Sequence, residues 1–372
     1  MTTVSDYYVW RESETRIGDR PIRYASKPGL PDWDRVDHDA QLLAEAIEAR
    51  SGDRLIDLRC GKGIVASVAA LHGASVAALD DSIIAVEATR RTLEMNGAAA
   101  PDERASNHDI AVLTLPKSRD ALCQLARDAA RALRPGGRVY LAGATRSGVK
   151  SATDDLESIF GNAHVIAYGK GHRVVVAIRP DHVTLEDDDG FAETEVEVAG
   201  ARWRVVSGPG VFAHGRLDDG TRCLLEAIDF RAGESLLDLG CGCGIVGLVG
   251  ACRGNRATCL DASAVAIEAT RRTLSNAGIE GVDVMWSDCA SAVKDRCFDA
   301  VATNPPFHQG VGTDYAVARQ FVRDAAVVLR PGGRLCLVAH RFLRYEREMS
   351  GLFSDVRVIY EDGRFRVFEA VK

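Results

Sequence analysis

The sequence predicts two tandem Rossmann-like α/β domains, built on a mixed seven-stranded sheet with helices on both faces. Three observations predict this fold. The chain has 372 residues, which is too long for one ordinary core and suggests two domains of similar size. Residues 54–65 recur as residues 235–246. Each copy runs from a strand through a glycine-rich turn and a helix to a second strand and an acidic residue, an order typical of doubly wound domains.

The internal repeat extends beyond the glycine-rich turn. Asp57 corresponds to Asp238 and Asp80 to Asp261, both at an offset of 181 residues, and residues 87–93 recur as residues 268–274. A Leu-Arg-Pro-Gly-Gly motif also occurs once in each copy, at 133–137 and at 329–333, with 15 more residues before it in the second copy. The chain therefore contains two tandem copies of one domain.

The boundary between the copies is expected in a linker at 179–190. Pro180 and the acidic run at 186–189 interrupt the apolar pattern there. We predict a first domain over 1–185 and a second over 186–372. A hairpin at 193–198 and 202–206 leads into the second domain.

The second copy shows the clearest alternation of strands and helices. Its predicted helices lie near 245–252, 264–276, 315–329 and 342–352. Its predicted strands lie near 235–239, 257–260, 282–287, 298–303, 334–339, 356–360 and 365–371, the last two forming a hairpin.

Composition narrows the class of protein. No apolar run approaches the roughly 18 residues that a membrane span needs, and residues 1–6 lack the basic start of a signal peptide, so a cytoplasmic protein is expected. A net charge of −7 and a pI of about 5.8 argue against nonspecific coating of nucleic acid. The ten cysteines have no zinc spacing, which predicts reduced thiols and no metal site.

A cofactor site is predicted where the first strand of the second copy meets its helix. The glycines of this turn let the backbone approach a ligand closely. Asp238 is placed to meet a cofactor ammonium, Asp261 to accept two ribose hydroxyls and Asp288 to hold an adenine amine, although either of the last two alone could be a helix cap. The predicted cofactor-binding residues are Asp238, Gly240, Gly242, Gly244, Asp261, Asp288 and Asn304.

The motif Asn304-Pro305-Pro306-Phe307 closes the apolar strand at 298–303. The Asn304 side-chain oxygen and the Pro305 carbonyl can accept the two hydrogens of a planar NH2 group. Prolines hold the turn rigid, and Phe307 offers a face on which a flat base can stack. These four residues are the predicted catalytic set, whereas His308 is better explained as a turn or RNA-contact residue than as a general base.

These motifs resemble a known enzyme family. Residues 209–221, 304–310 and 341–346 are similar to those of the small-subunit (16S) ribosomal RNA guanine-N2 methyltransferases, which carry a duplicated class I methyltransferase fold with a degenerate first copy. The resemblance implies S-adenosylmethionine as cofactor and ribosomal RNA or the small ribosomal subunit as partner. Two departures, Ala213 in place of a usual serine and an arginine where proline is common in 341–345, leave the nucleotide open.

The first copy lacks the glycine-rich turn and the catalytic motif that are predicted for the second copy. Arg59 replaces the first glycine of the turn and Lys62 lies within it, while the Asn-Pro-Pro-Phe position reads Thr-Leu-Pro-Lys at 114–117. Because Asp57 and Asp80 are retained, residual cofactor binding stays an alternative. We expect a catalytically inactive scaffold that helps to grip RNA.

Other functions remain compatible with the sequence. The same catalytic motif suits a release-factor glutamine or an adenine, which also present planar NH2 groups. A noncatalytic RNA-binding or ribosome-assembly module is a further alternative.

Two basic segments are candidate phosphate contacts or merely solvated faces. One is Arg202 and Arg204 beside Trp203, and the other is the arginines at 341, 344 and 347, which a helix would place on one face.

Overall fold

The computed structural model describes residues 6–99, 107–185, 187–211, 216–306 and 315–372. The chain divides into two compact units, Met1–Gly190 and Phe191–Lys372. This division lies a few residues beyond the predicted boundary, at the end of the predicted linker. Within the described ranges no helix is both long enough and apolar enough to cross a membrane.

The first unit is an α/β domain. Its α-helices are α1 (His38–Ala46), α2 (Ile64–Leu71), α3 (Ile83–Met95), α4 (Arg119–Ala132) and α5 (Val149–Phe160). Its strands are β1 (Arg11–Ile17), β2 (Arg20–Ser26), β3 (Arg54–Asp57), β4 (Ser75–Ala78), β5 (His108–Thr114), β6 (Leu133–Ala144), β7 (His164–Gly169) and β8 (His172–Ile178). Strands β1 and β2 form a separate hairpin, and the others form a sheet in the order β4-β3-β5-β6-β8-β7, in which β8 is antiparallel to its neighbours.

The second unit repeats this plan. Its α-helices are α6 (Asp219–Ala227), α7 (Ile245–Cys252), α8 (Ala264–Asn276), α9 (Tyr315–Val328) and α10 (Tyr345–Met349). Its strands are β9 (Ala192–Val198), β10 (Ala201–Ser207), β11 (Ser235–Leu239), β12 (Arg256–Asp261), β13 (Asp283–Trp286), β14 (Phe298–Thr303), β15 (Leu329–His340), β16 (Asp355–Glu361) and β17 (Phe365–Val371). The sheet order is β13-β12-β11-β14-β15-β17-β16, with β17 antiparallel to both neighbours.

The predicted mixed seven-stranded sheet is confirmed in the second unit. The described part of the first unit has six strands in its sheet. At the offset of 181 residues the positions of β13 correspond to 102–105, which lie outside the described residues.

Side-chain alternation along the strands builds a core on each face of the first sheet. Leu55 and Ile110 pack in one cluster with residues of α1, α2 and α3. Ile56 and Ala111, one position along, pack in the other cluster with residues of α4 and α5. Because successive side chains of a strand point to opposite faces, helices cover both faces, as predicted.

Two helices differ from the prediction. The helix predicted at 342–352 is only the short α10, because a turn in which the Leu343 N–H donates to the His340 carbonyl precedes it, and Arg344 at its N-cap has a non-helical ψ of 66°. Helix α6 was not predicted. It begins after Asp218, whose carboxylate accepts the N–H of Thr221 at 2.9 Å and so caps the helix.

Candidate active site

The candidate site lies at the carboxyl edge of the second sheet, defined here as the edge where the parallel strands β11, β12, β14 and β15 end. The strand order reverses between β11 and β14, since β12 follows on one side and β14 lies on the other. Open α/β sheets bind ligands in the crevice outside such a reversal. The glycine-rich turn, Asp261 and Asn304 all lie at this edge.

The glycine-rich turn is shaped by three left-handed residues. Gly240, Gly242 and Gly244 have φ values of +79°, +57° and +76°, a region that favours glycine. A Cβ added at Gly244 would lie 2.6 Å from Thr270, whereas one added at Gly242 meets no atom within 4 Å. Gly242 therefore borders open space, where a cofactor can approach the backbone.

Asp238 lies beneath this turn and is almost fully buried. Its Oδ2 accepts the N–H of Gly247 at 3.0 Å. Burial raises the pKa of the Asp238 carboxyl to about 7, and the negative charge of Asp261 adds to the shift. A bound cation would favour the charged carboxylate, so this residue fits the predicted contact with a cofactor ammonium.

Asp261 joins the turn to the start of α8. Its two carboxylate oxygens accept the N–H groups of Gly242 and Ser263, each at 2.9 Å. The cap of α8 is Ser263, whose Oγ accepts the N–H of Ala266 at 3.0 Å, so Asp261 is not itself the cap. A carboxylate offers about four acceptor sites, so this group suits the predicted contact with ribose hydroxyls.

Asp288 lies in the segment that follows β13, at the same edge of the sheet. Its carbonyl accepts the N–H of Ser291 at 3.0 Å at the start of a short 3-10 turn, Ser291–Val293. This position is compatible with the predicted adenine contact.

Asn304 follows β14 directly and is half-buried. Its Nδ2 donates to Asp218 Oδ2 at 2.8 Å and to Thr221 Oγ1 at 2.9 Å. A carboxylate only accepts hydrogen bonds, so Asp218 fixes which end of the amide faces it. Within the described chain, Oδ1 of Asn304 makes no hydrogen bond and is the acceptor left for a ligand.

The rest of the motif is only partly described. Thr303 Oγ1 donates to the Leu239 carbonyl at 2.7 Å, which ties the end of β14 to the end of β11. Pro305 is buried and Pro306 is exposed. Phe307, predicted to stack on a base, lies outside the described residues, as do His308 and the rest of 307–314.

Asp218 and Thr221 hold the Asn304 amide, and the sequence reasoning assigned neither of them a role in the site. A signal was available, because Asp37 caps α1 through the N–H of Ala40 at 2.9 Å just as Asp218 caps α6. The second copy alone has a hydroxyl, Thr221, at the position of Ala40. Thr221 therefore distinguishes the second copy, in which the capping aspartate also accepts a hydrogen bond from the Asn304 amide.

Comparison with known proteins identifies the family. The family model of the methyltransferase small domain matches residues 21–176 and 202–369. A ribosomal RNA small subunit methyltransferase C of Pseudomonas entomophila is 32% identical over 342 residues, covering 91% of this chain and 100% of the relative. The Hahella chejuensis protein of that description is 37% identical over 71% of this chain and 78% of its own length. The chain belongs to the ribosomal RNA small subunit methyltransferase C family.

A solved structure agrees with this assignment. The T. Thermophilus 16S rRNA N2 G1207 methyltransferase (RsmC), in complex with AdoMet and guanosine, matches with a TM-score of 0.85 and 27% identity over 99% of both chains. The family resemblance drawn from residues 209–221, 304–310 and 341–346 is confirmed. The duplicated methyltransferase fold is confirmed too, since the family model matches twice.

The first methyltransferase domain retains part of the cofactor geometry. Asp80 accepts the N–H groups of Gly61 and Ser82 at 3.0 and 2.9 Å, as Asp261 does in the second domain. Burial likewise raises the pKa of Asp57 to about 7.

Two basic side chains occupy the cleft of this first domain. Arg59 Nη1 donates to Thr114 Oγ1 at 2.9 Å, and the buried Lys62 ammonium lies 3.8 Å from Asp37 Oδ2. Burial lowers the pKa of Lys62. Both side chains line the cavity that remains there, together with Asp37, Asp57 and Thr114.

The buried thiols of the methyltransferase fold are poor nucleophiles. All ten cysteines are free. Burial raises the pKa of Cys243, in the glycine-rich turn, to about 11 and that of Cys336 to about 12. Both are protonated at neutral pH, so neither supplies a thiolate.

The first predicted basic segment is not an open cationic patch. Arg202 lies 3.7 Å from Glu197, and Arg204 lies within 3.8 Å of Glu193 and Glu195. Trp203 points to the opposite face of β10, because side chains alternate along a strand, and its Nε1 donates to the Val198 carbonyl.

The prediction for the second basic segment, at 341–347, was wrong in one respect. Arg341, Arg344 and Arg347 do not share a helical face, because α10 begins only at Tyr345. Arg341 pairs with Glu361 at 3.1 Å. Arg344 and Arg347 are exposed.

Proposed function

We propose that the second unit transfers a methyl group from S-adenosylmethionine to the exocyclic N2 amine of a guanine in 16S ribosomal RNA. One observation carries the proposal: Asp218 and Thr221 hold the Asn304 amide at the edge where the glycine-rich turn opens, and among the described residues none donates to its oxygen. The T. Thermophilus relative binds AdoMet and guanosine, the two ligands that this arrangement suits. The cytoplasm is the proposed compartment.

The protein's contribution to the reaction is positioning. Bound at the turn by Asp238 and Asp261, the cofactor supplies an electrophilic sulfonium methyl group. Asn304 Oδ1 and the Pro305 carbonyl accept the two hydrogens of N2, so the nitrogen lone pair faces that methyl group. Orientation of this kind is worth roughly 7–11 kcal/mol. The amine would attack without prior deprotonation: the N–C bond would form as the S–C bond breaks, the thioether would leave, and the methylated nitrogen would then lose a proton to water. Phe307 is proposed to stack on the base.

The test is transfer of labelled methyl from S-adenosylmethionine to unmodified 16S rRNA and to isolated small ribosomal subunits, followed by nucleoside analysis. N2-methylguanosine is the expected product. Release factor and DNA serve as alternative acceptors, since glutamine and adenine also present planar NH2 groups. Label in methylglutamine or methyladenine alone, or no transfer by a protein that binds the cofactor, would overturn the proposal.

We further propose that the first unit is an inactive scaffold that helps to grip RNA. Arg59 and Lys62 occupy its cleft, and Thr114, which accepts from Arg59, stands at the position of Asn304. One cofactor per chain is therefore expected in calorimetric titration.

A matched pair of variants tests this stoichiometry, because Asp80 and Asp261 make the same two backbone hydrogen bonds. Asp80→Ala should leave one site of unchanged affinity. Asp261→Ala should weaken binding by about 100-fold, as expected for two hydroxyl hydrogen bonds to a charged group at about 1.5 kcal/mol each. Two sites in the wild-type chain, or lost binding in Asp80→Ala, would contradict the assignment.

A further inference from the structure

An exposed aromatic ring lies at the carboxyl edge of the second sheet. The side chain of Phe342 is 56% exposed. Its ring stacks on His340, with centroids 5.3 Å apart and planes 23° apart, and His340 in turn contacts Phe365 at 4.6 Å. One face of Phe342 is therefore supported by protein while the other faces solvent.

A short series of contacts connects this ring to the Asn304 amide. His340 ends β15 and pairs with Phe365 of β17. A Cβ added at Gly220 would lie 3.2 Å from the Phe365 ring and 3.5 Å from Nδ2 of Asn304. The glycine thus lies between the aromatic cluster and the amide.

The first copy lacks this cluster. The repeat places Ala144 at the position of His340 and Arg146 at that of Phe342. The stacked aromatic pair therefore occurs only in the copy that carries Asn304.

Positive charge next to the ring is not neutralised. Arg344 and Arg347 are exposed, and neither forms an ion pair with any residue that the structure describes. The neighbouring acidic residues are already paired, Glu361 with Arg341 and Arg366, Glu346 with Arg366, and Glu348 with Arg319.

We propose that Phe342 is the stacking platform for a nucleotide next to the target guanine, with Arg344 and Arg347 at the flanking phosphates. The inference rests on the proposed function. A guanine must leave its helix to reach Asn304, which unstacks its neighbour and exposes a base face. A preformed ring with free arginines beside it matches single-stranded RNA, which binds through base stacking and phosphate contacts. It matches a protein partner less well, because the ring is a single exposed aromatic bordered by charge.

The test compares Phe342→Leu and Phe342→Trp with the wild type, using whichever acceptor, 16S rRNA or small subunits, the wild type methylates. Leucine keeps apolar volume but removes the ring face, so KM for RNA should rise about tenfold, with cofactor affinity and thermal stability unchanged. Tryptophan should retain the wild-type KM. Val358→Ala is the control, because this side chain of the same unit is also exposed (43%) but carries no ring and lies on β16, the edge strand of the sheet. It should leave KM unchanged.

The arginines are tested by salt dependence. Arg344→Gln and Arg347→Gln should each reduce the slope of log affinity against log salt by about 0.7, the value for one phosphate contact on a single strand. A Phe342→Leu variant with wild-type KM, or a Phe342→Trp variant as impaired as Phe342→Leu, overturns the platform while leaving the proposed function intact. Failure of the wild type to methylate either RNA overturns both.

Discussion

Replacing Asn304 with alanine is expected to reduce methyl transfer to ribosomal RNA by at least about 100-fold. The variant removes the oxygen that holds the amine in line with the methyl group, and misplacement by about 1 Å can cost about that factor. Cofactor affinity should fall by no more than about tenfold, the effect of one neutral hydrogen bond. Single-turnover rates with labelled cofactor, measured beside equilibrium binding of the cofactor, separate these two effects.

Thr221→Val is the control for orientation. It keeps the shape of the side chain but removes the hydroxyl that accepts from Asn304 at 2.9 Å, while the hydrogen bond to Asp218 remains. We expect a loss of about tenfold in the single-turnover rate, intermediate between the wild type and Asn304→Ala. Full activity in Asn304→Ala would show that the amide does not hold the substrate.

Much of the fold could be predicted because the second copy has strong local patterns. Strands β11, β14 and β17 and helices α7 and α8 have the predicted bounds. The strands are short apolar-rich runs, and α7 and α8 begin directly after Gly244 and the capping Ser263; such signals are local. The first copy has weaker motifs, and its architecture could be predicted because its sequence aligns with that of the second copy.

The short helix α10 shows where local patterns fail. Residues 342–352 have helical periodicity, but Phe342 is drawn into a stack on His340 and Leu343 closes a turn with the same residue. Both contacts are made to the end of β15. Tertiary packing therefore decides the start of the helix, and periodicity alone could not.

The candidate site was predictable as a set of residues but not as a network. Asn304 and Asp218 are 86 residues apart and meet only because the start of α6 lies beside the end of β14. The sequence also showed that Arg59 replaces a glycine of the first glycine-rich turn and that Lys62 lies within that turn. Only the structure shows that Lys62 reaches Asp37, the counterpart of Asp218. In one copy this aspartate accepts from the Asn304 amide, and in the other it lies 3.8 Å from the buried Lys62 ammonium.

Gly247→Ala is expected to destabilise the second unit by about 2 kcal/mol. The added Cβ would overlap Sγ of Cys259, because Gly247 lets α7 lie directly on β12. An overlap this close costs up to about 3 kcal/mol, and replacing a helical glycine returns up to about 1 kcal/mol, which leaves a net loss of about 2 kcal/mol. Calorimetry should show a fall in Tm of about 4–8 °C for a unit of this size.

The first copy supplies the compensating change for this variant. There the pair reads Ala66 and Ala78 in place of Gly247 and Cys259, and both alanines are buried. Combining Gly247→Ala with Cys259→Ala should therefore restore most of the lost Tm, because the smaller side chain makes room for the added methyl group. Gly363→Ala, at an exposed position where a Cβ meets nothing within 4 Å, should leave Tm unchanged. If Gly247→Ala alone melts at or above the wild-type temperature, the close approach of α7 to β12 does not constrain this position, and the two copies differ there for another reason.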